Sequence, residues 1–384
     1  MSDGVRSSSG RNPDDDLLLC AFVVCGVDRL PLGVLAAASE THGAALEARL
    51  ERMAEHSLAA VPGALTEGDT VTMVALRRPS VDVPSAEARS LAARIGRYLQ
   101  ILVQEAGARH VAAVPPDRHD DIHEGRLRSV RWPVVGVIRW QLEHGMAEDA
   151  VHLARAWWTV AGRMADPAWM REFAEASERA AIEIRDPAAL IGLLTMAAEC
   201  ADRSGDWLMA DARWVRVLSL ARVQQDHDVA CKTLATLGDF YRRWGRLHRA
   251  MDVLSDLIAT CDRVHDNHGA LRALRALASV LLDADRATAA VPPLVRAVAL
   301  AAADDAIEEG VHADLLIMLG RAYWMSNRIR AGREAFSSAL ALLVDVDAGG
   351  ADHVRSLLAT PDDGSLPVRA PDVVEQHGRR TRPP

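Results

Sequence analysis

Few residues in this chain have both the type and the spacing that chemistry needs. The stretch "VACKTLATLGDFYRRWGRLHRA", residues 229–250, holds the only lysine, Lys232, followed by Thr233. A Lys-Thr pair opening a helix ends a phosphate-binding loop, in which glycine N–H groups approach the anion. Here Cys231 stands in place of the last glycine and no glycine precedes it in the stretch, so a nucleotide site of that kind is excluded. "RHDDIHEGR", residues 118–126, sets His119 and His123 one helical turn apart, with Asp120 where a zinc protease carries glutamate. No third ligand is identifiable and no apolar helix presents the pair, so the segment reads as a surface loop. "HDNH", residues 265–268, reads as polar punctuation between repeats. Neither a Ser-His-Asp order with a nucleophile elbow nor a G-x-S-x-G is found. The expectation is a protein without catalytic residues, metal or cofactor.

The elements that would position any site follow from composition. A chain of 384 residues exceeds what one ordinary core organises. Hydrophobic residues make up 49% and aromatic residues only 4%, nine of them Trp, while Ala and Leu abound. Such a composition is mostly α. The net charge of −9 shows no cationic excess of the kind that binds duplex nucleic acid, so nucleic acid is a disfavoured partner. The cysteines Cys20, Cys25, Cys200, Cys231 and Cys261 form no C-x-x-C pair and are odd in number, which argues against a disulfide framework or a thiolate zinc site. The opening "MSDGVRSSSGRNPDDD" lacks the apolar core of a secretory signal, and no apolar run approaches ~18 residues. A cytoplasmic protein that does not enter membranes is expected.

Along the chain, residues 1–14 read as disordered. Residues 15–110 read as helix, helix, helix, strand, strand, helix, with Pro31 opening the second helix and "SLAAV" and "TVTMVAL" forming a hairpin. Three helices and a two-stranded wing make a winged-helix-like layout. Residues 111–133 read as a linker, and 134–345 as a repeat array. A short helix and a disordered tail complete 346–384.

The array rests on self-similarity. Aligning "AWWTVAGRM", "AAECADRSGD", "LGDFYRRWGR", "LASVLLDADR" and "LGRAYWMSNR" puts Trp157, Ala198, Gly238, Ala278 and Gly320 in one column, spaced by 41, 40, 40 and 42 residues. Twelve residues on stand Trp169, Ala210, Ala250, Ala290 and Gly332; four further on stand Phe173, Trp214, Leu254, Leu294 and Phe336. Where a tight turn is needed stand Met164, Gly205, Gly245, Asp285 and Asn327. Small residues let two antiparallel helices cross closely, and large ones a turn later seal the interface. This is a tetratricopeptide-like α-solenoid pattern with a period longer than the usual ~34 residues, which requires an extra turn per helix or longer loops.

The order of these parts carries a resemblance. "LCAFVVCGVDRLPLGVLAA", "LEARLERMAEHSLAAV" and "RSVRWPVVGVIRWQLEHGMAEDAVHLARAWWTVAGRM" are similar to successive segments of bacterial STAND regulators (signal-transduction ATPases with numerous domains), especially the large actinobacterial ones. The resemblance covers roughly residues 17–345, corresponding to the C-terminal half of that family. The family's nucleotide-binding module is missing from this sequence, as is any second effector domain. The resemblance therefore implies a sensor and interaction half, with an ATPase subunit supplied in trans as one partner, and a winged helix that packs on protein more than it reads DNA.

Function is then expected on the concave face of the array. The residues assigned to it are Lys232, Arg242, Arg272, Arg275 and Arg321, the acidic Glu199, Asp202, Asp239 and Asp314, and the tryptophans Trp158 and Trp324. A row of arginines can hold carboxylates in two-pronged hydrogen bonds, so the expected partner is a protein or peptide with an acidic segment. The alternatives are a DNA-binding regulator and a small-molecule or signal-peptide sensor. The DNA reading would use Arg49, Arg52, Arg77 and Arg78, but Glu47, Glu51 and Glu55 on the same helix would repel phosphate.

Overall fold

Helix follows helix because the Ala- and Leu-rich segments are broken only by short turns with left-handed backbone or an aspartate cap. The computed structural model describes residues 13–55, 59–60, 73–76, 85–111, 118–164, 166–304, 306–344 and 347–361. These divide into two units, residues 1–220 and 221–384.

The first unit begins with α1 (Pro13–Cys25), β1 (Arg29–Pro31), α2 (Leu32–Ser39), α3 (Ala44–Glu55), β2 (Ala59–Ala60) and β3 (Met73–Leu76). The expected hairpin is present, with Ala59 opposite Leu76 and Ala60 opposite Ala75. A strand that the sequence did not signal, β1, completes a three-stranded antiparallel sheet in the order β1-β3-β2. It escaped notice because it is three residues long and ends in Pro31, but its Leu30 and the facing Val74 are fully buried. Helix α1 already starts at Pro13, two residues inside the stretch read as disordered.

Two long helices follow, α4 (Ser85–Val111) and α5 (Arg118–Glu143). The linker reading of 111–133 is corrected here: residues 118–133 are the first part of α5, and 112–117 lie outside the described residues. The backbone of "RHDDIHEGR" is likewise helical, not a loop. Helix α5 packs on α1, α4 and the repeat helices that follow it, so the N-terminal elements and first repeats share one unit with no boundary near residue 110. A β-carbon on Gly136 of α5 would stand 1.7 Å from the Cys25 carbonyl oxygen, so α1 ends against the α5 backbone only because that residue has no side chain.

The repeats are α6 (Ala147–Ala161) with α7 (Pro167–Glu183), α8 (Pro187–Ser204) with α9 (Trp207–Val223), α10 (His227–Arg243) with α11 (Leu247–Arg263), α12 (Asn267–Asp283) with α13 (Ala287–Ala302), and α14 (Glu309–Met325) with α15 (Ile329–Leu343). A short helix, α16 (Ala348–Leu358), packs on α15. The boundary between the two units falls inside α9. The long period is met by extra helix and not by extra loop: α10, α11 and α12 have 17 residues each. The turns between them have three, as in Trp244–Arg246 and Val264–Asp266.

Every residue of the three alignment columns is buried. In α14 a β-carbon on Gly320 would lie 2.4 Å from a ring carbon of Phe336 on α15, and one on Gly238 would meet Leu254 at 2.7 Å. The small residue of one helix is thus the socket for the large residue of its partner. Four of the five turn-column residues, Gly205, Gly245, Asp285 and Asn327, have positive φ; Met164 does not. A second set of left-handed residues, Arg185, Gln225 and His265, precedes Asp186, Asp226 and Asp266. Those aspartates accept hydrogen bonds from the first N–H groups of α8, α10 and α12. "HDNH" is therefore a helix start: Asp266 is the cap and His268 pairs with Asp304 at 3.2 Å.

Gly320→Ala is expected to cost about 1–3 kcal/mol, because the new methyl group overfills the contact with Phe336. Gly192→Ala, in α8 where nothing stands within 4 Å of the new carbon, should add about 0.5–1 kcal/mol. Urea unfolding of the two variants beside wild type checks both signs.

Candidate functional site

Alternate helices of the second unit, α10, α12 and α14, carry the polar residues assigned to a binding face. They bear Lys232, Asp239 and Arg242; Arg272 and Arg275; and Asp314 and Arg321. Most of these charges find partners within the unit. Lys232 Nζ donates to Asp228 at 2.7 Å, one turn earlier on α10. That carboxylate holds the ammonium above its ordinary pKa. Asp239 pairs with Arg243 at 2.9 Å. Arg242 reaches Asp283 on the next repeat at 2.7 Å, and Arg275 reaches Asp314 at 3.5 Å.

The last two pairs join one repeat to the next. Pairs of the same kind recur on the other set of helices, where Arg222 meets Asp256 and Arg296 meets Asp262. All these groups are roughly half exposed, so each pair is worth at most ~1 kcal/mol and mainly fixes register. Among the described residues Arg272, which is exposed, and Arg321, which is half-buried, have no carboxylate within ion-pairing distance.

Arg272 stands beside a hollow. Helices α10, α11 and α12 line a half-open cavity of about 370 Å³. Its walls are Ala235, Leu254, Leu257, Ala273 and the thiols of Cys231 and Cys261, and its lining charges are Lys232, Arg272, Asp228 and Asp266. Asp228 is held by Lys232, and Asp266 accepts from the Gly269 N–H at 2.8 Å while keeping its negative charge, so Arg272 is the lining cation without an ion-pair partner. Burial pushes both thiols above the ordinary range, Cys261 to about 12, so the wall is uncharged at neutral pH. A half-open, mostly apolar hollow with an unpaired guanidinium at its edge can take an apolar group attached to a carboxylate.

The two cysteines of this wall are neighbours that influence each other's ionisation, a pairing the sequence reading missed. The repeat register holds the signal: seven before the first column stand Ile191 and Leu271 as well as Cys231, and twenty-three after it stand Ala221 and Ala301 as well as Cys261.

Three assignments are corrected. Trp158 and Trp324 do not line a binding face; they are 3% and 8% exposed. Trp158 packs on Phe173 with ring centres 4.8 Å apart, and Trp324 lies against Phe336 at 6.4 Å. Large rings at the edge of the outward row fold back onto the neighbouring helix, where they bury more surface than they would facing water. Arg49 is buried, turned into the first unit, so it presents no guanidinium to a phosphate backbone. Arg52 is exposed, and Arg77 and Arg78 lie outside the described residues. Glu199 is exposed and Asp202 half-buried; both belong to α8 in the first unit. Among the described residues no group of three or more His, Cys, Asp or Glu side chains could hold a metal ion, and no helix is long and apolar enough to cross a membrane.

No protein-family model matches the chain, and no curated protein does. Among solved structures, the chain is similar to BtubC (BKLC) from P. vanneervenii, at 17% identity and a TM-score of 0.40, with 67% of this chain and 92% of that one covered. It is also similar to a STAND protein with a tetratricopeptide repeat sensor from Pyrococcus horikoshii, at 12% identity and a TM-score of 0.43. That match covers 91% of this chain and spans 59% of the other. A third is aspartyl phosphate phosphatase F from Bacillus subtilis, at 9% identity and a TM-score of 0.41, over 94% of this chain and 82% of that one.

A double-mutant cycle on Arg242→Ala and Asp283→Ala should return a coupling below about 1 kcal/mol that shrinks as salt is added. Denaturant midpoints of the four proteins at low and high ionic strength measure it.

Proposed function

We propose that the chain is a non-enzymatic interaction protein, a scaffold or regulatory sensor, that binds a protein or peptide partner through the α10–α12–α14 face of its second unit. One observation carries this reading: Arg272 stands without an internal carboxylate beside a 370 Å³ apolar cavity, while Lys232, Arg242 and Arg275 are neutralised from within. A guanidinium so placed offers its hydrogen-bonding fork to a carboxylate from outside. The partner is an acidic segment with an apolar side chain next to its carboxylate.

The order α1, β1, α2, α3, β2, β3 supports reading the first elements as a winged-helix-like module. In this reading the module is a second protein-docking element, suited to an ATPase subunit supplied in trans, and the protein works in the cytoplasm. DNA reading by the same module is the weaker alternative, since the burial of Arg49 removes one of its cationic contacts. The size of this hollow favours one other reading, a small-molecule or signal-peptide sensor, because cavities of a few hundred Å³ are the size that small ligands fill.

The test is affinity capture from the native cytosol with wild type beside Arg272→Glu, followed by titration of the captured protein against both. Binding that weakens about tenfold or more in a variant with unchanged circular dichroism supports the reading. Equal binding by both proteins, or recovery of DNA alone, would sink it.

A further inference from the structure

We propose that Cys231 and Cys261 form a peroxide-oxidisable pair, whose oxidation creates a reversible disulfide tying α10 to α11 across the wall of the cavity. Three observations converge on this pair. The two thiols stand on successive, mutually packed helices near enough for each to shift the other's ionisation, although 30 positions separate them in the chain. Both line the same solvent-reached cavity. Of the five cysteines, Cys20, Cys25, Cys200 and Cys261 are buried and Cys231 alone is partly exposed.

The environment divides the roles. Around the pair stand Asp228 and Lys232 on α10, Asp262 and Arg263 on α11, Asp266 in the turn and Arg272 on α12. Burial raises both thiols, and the aspartates oppose either thiolate. Within the pair, however, the neighbouring Cys261 and Arg263 both favour charge on Cys231, which is also the more exposed sulfur, so the thiolate forms there. Cys261 is then the resolving thiol.

The Cys231 thiolate attacks one oxygen of hydrogen peroxide and becomes a sulfenic acid, and the other oxygen leaves as hydroxide. The Cys261 sulfur attacks the sulfenic sulfur; the S–S bond forms, the S–OH bond breaks, and the Cys261 proton leaves with the hydroxyl as water. Two thiols supply the two electrons that reduce one peroxide to two waters. Because the thiolate is scarce at neutral pH, the initial rate should rise ~tenfold per pH unit until the Cys231 thiol is ionised.

Wild type is exposed to hydrogen peroxide at pH 9, remaining thiols are alkylated, and unreduced peptides are mapped by mass. A peptide pair joining Cys231 to Cys261, short of two hydrogens and released by dithiothreitol, is the expected product. Cys261→Ser should stop at a Cys231 sulfenic acid that a 1,3-dione traps, and Cys231→Ser should leave Cys261 unoxidised at the same exposure. Circular dichroism establishes that each variant is folded; where Cys261→Ser is not, Cys261→Ala takes its place. A link to any other cysteine, a Cys231–Cys231 link between chains, an unreacted Cys231, or unchanged Cys261 loss in Cys231→Ser would each overturn the proposal.

Discussion

The structure depends on how closely two helices of a repeat can cross. At the crossing one helix supplies a residue with little or no side chain, Gly238 or Gly320, and the other supplies Leu254 or Phe336 to fill the space. A fully buried Leu or Phe contributes about 1.5–3 kcal/mol, but only when the backbone opposite is near enough to enclose it. The first repeat meets the same requirement differently: Trp157 and Trp169 occupy the small positions, edge to face at 6.4 Å, and Phe173 stacks on Trp169. A bulkier interface there suits helices that also pack on the long α5. At the far end, α16 buries Ala351, Val354 and Leu357, and Arg333 donates to the carbonyls of Leu358 and Thr360 at 3.0 and 2.9 Å, closing the last apolar surface.

Charge follows a different economy. Arginines and aspartates one repeat apart neutralise each other along both sets of helices, so a surface that looks highly ionic in sequence is largely spoken for. Recognition falls to what is left over. Arg272 sits in the same register as Lys232 and Asp314, six residues before the first column, yet it alone of the three has no partner inside the unit.

The fold was legible wherever one residue type had one physical meaning. Gly, Ala and large apolar residues at a fixed 40-residue spacing mean a crossing, and all of those positions are buried. Pro31 means a helix start, and it stands at the head of α2. Legibility failed where a residue type has two meanings that depend on neighbours distant in sequence. A tryptophan on the outward row can face water or fold inward, and Trp158 and Trp324 fold inward. An arginine can seek a partner protein or an aspartate 41 residues away, as Arg242 does. The contact between Cys231 and Cys261 needed the facing geometry of α10 and α11, although the register contained it. Helix α5 was misread because its N-terminal half is too polar to show an apolar face.

The turns have a consequence for growth and loss of the array. Arg185–Asp186, Gln225–Asp226 and His265–Asp266 repeat one device at intervals of 40 residues: a left-handed residue, then an aspartate that fixes the first turn of the next helix. Each start is specified within a few residues of itself, and each helix in the second unit packs on its immediate successor in the chain. The array is therefore divisible in whole repeats. A duplication or deletion of one 40-residue cassette cut at these turns preserves every local instruction and changes a single junction, whereas a shift of even two residues would set crossing residues against the wrong partners.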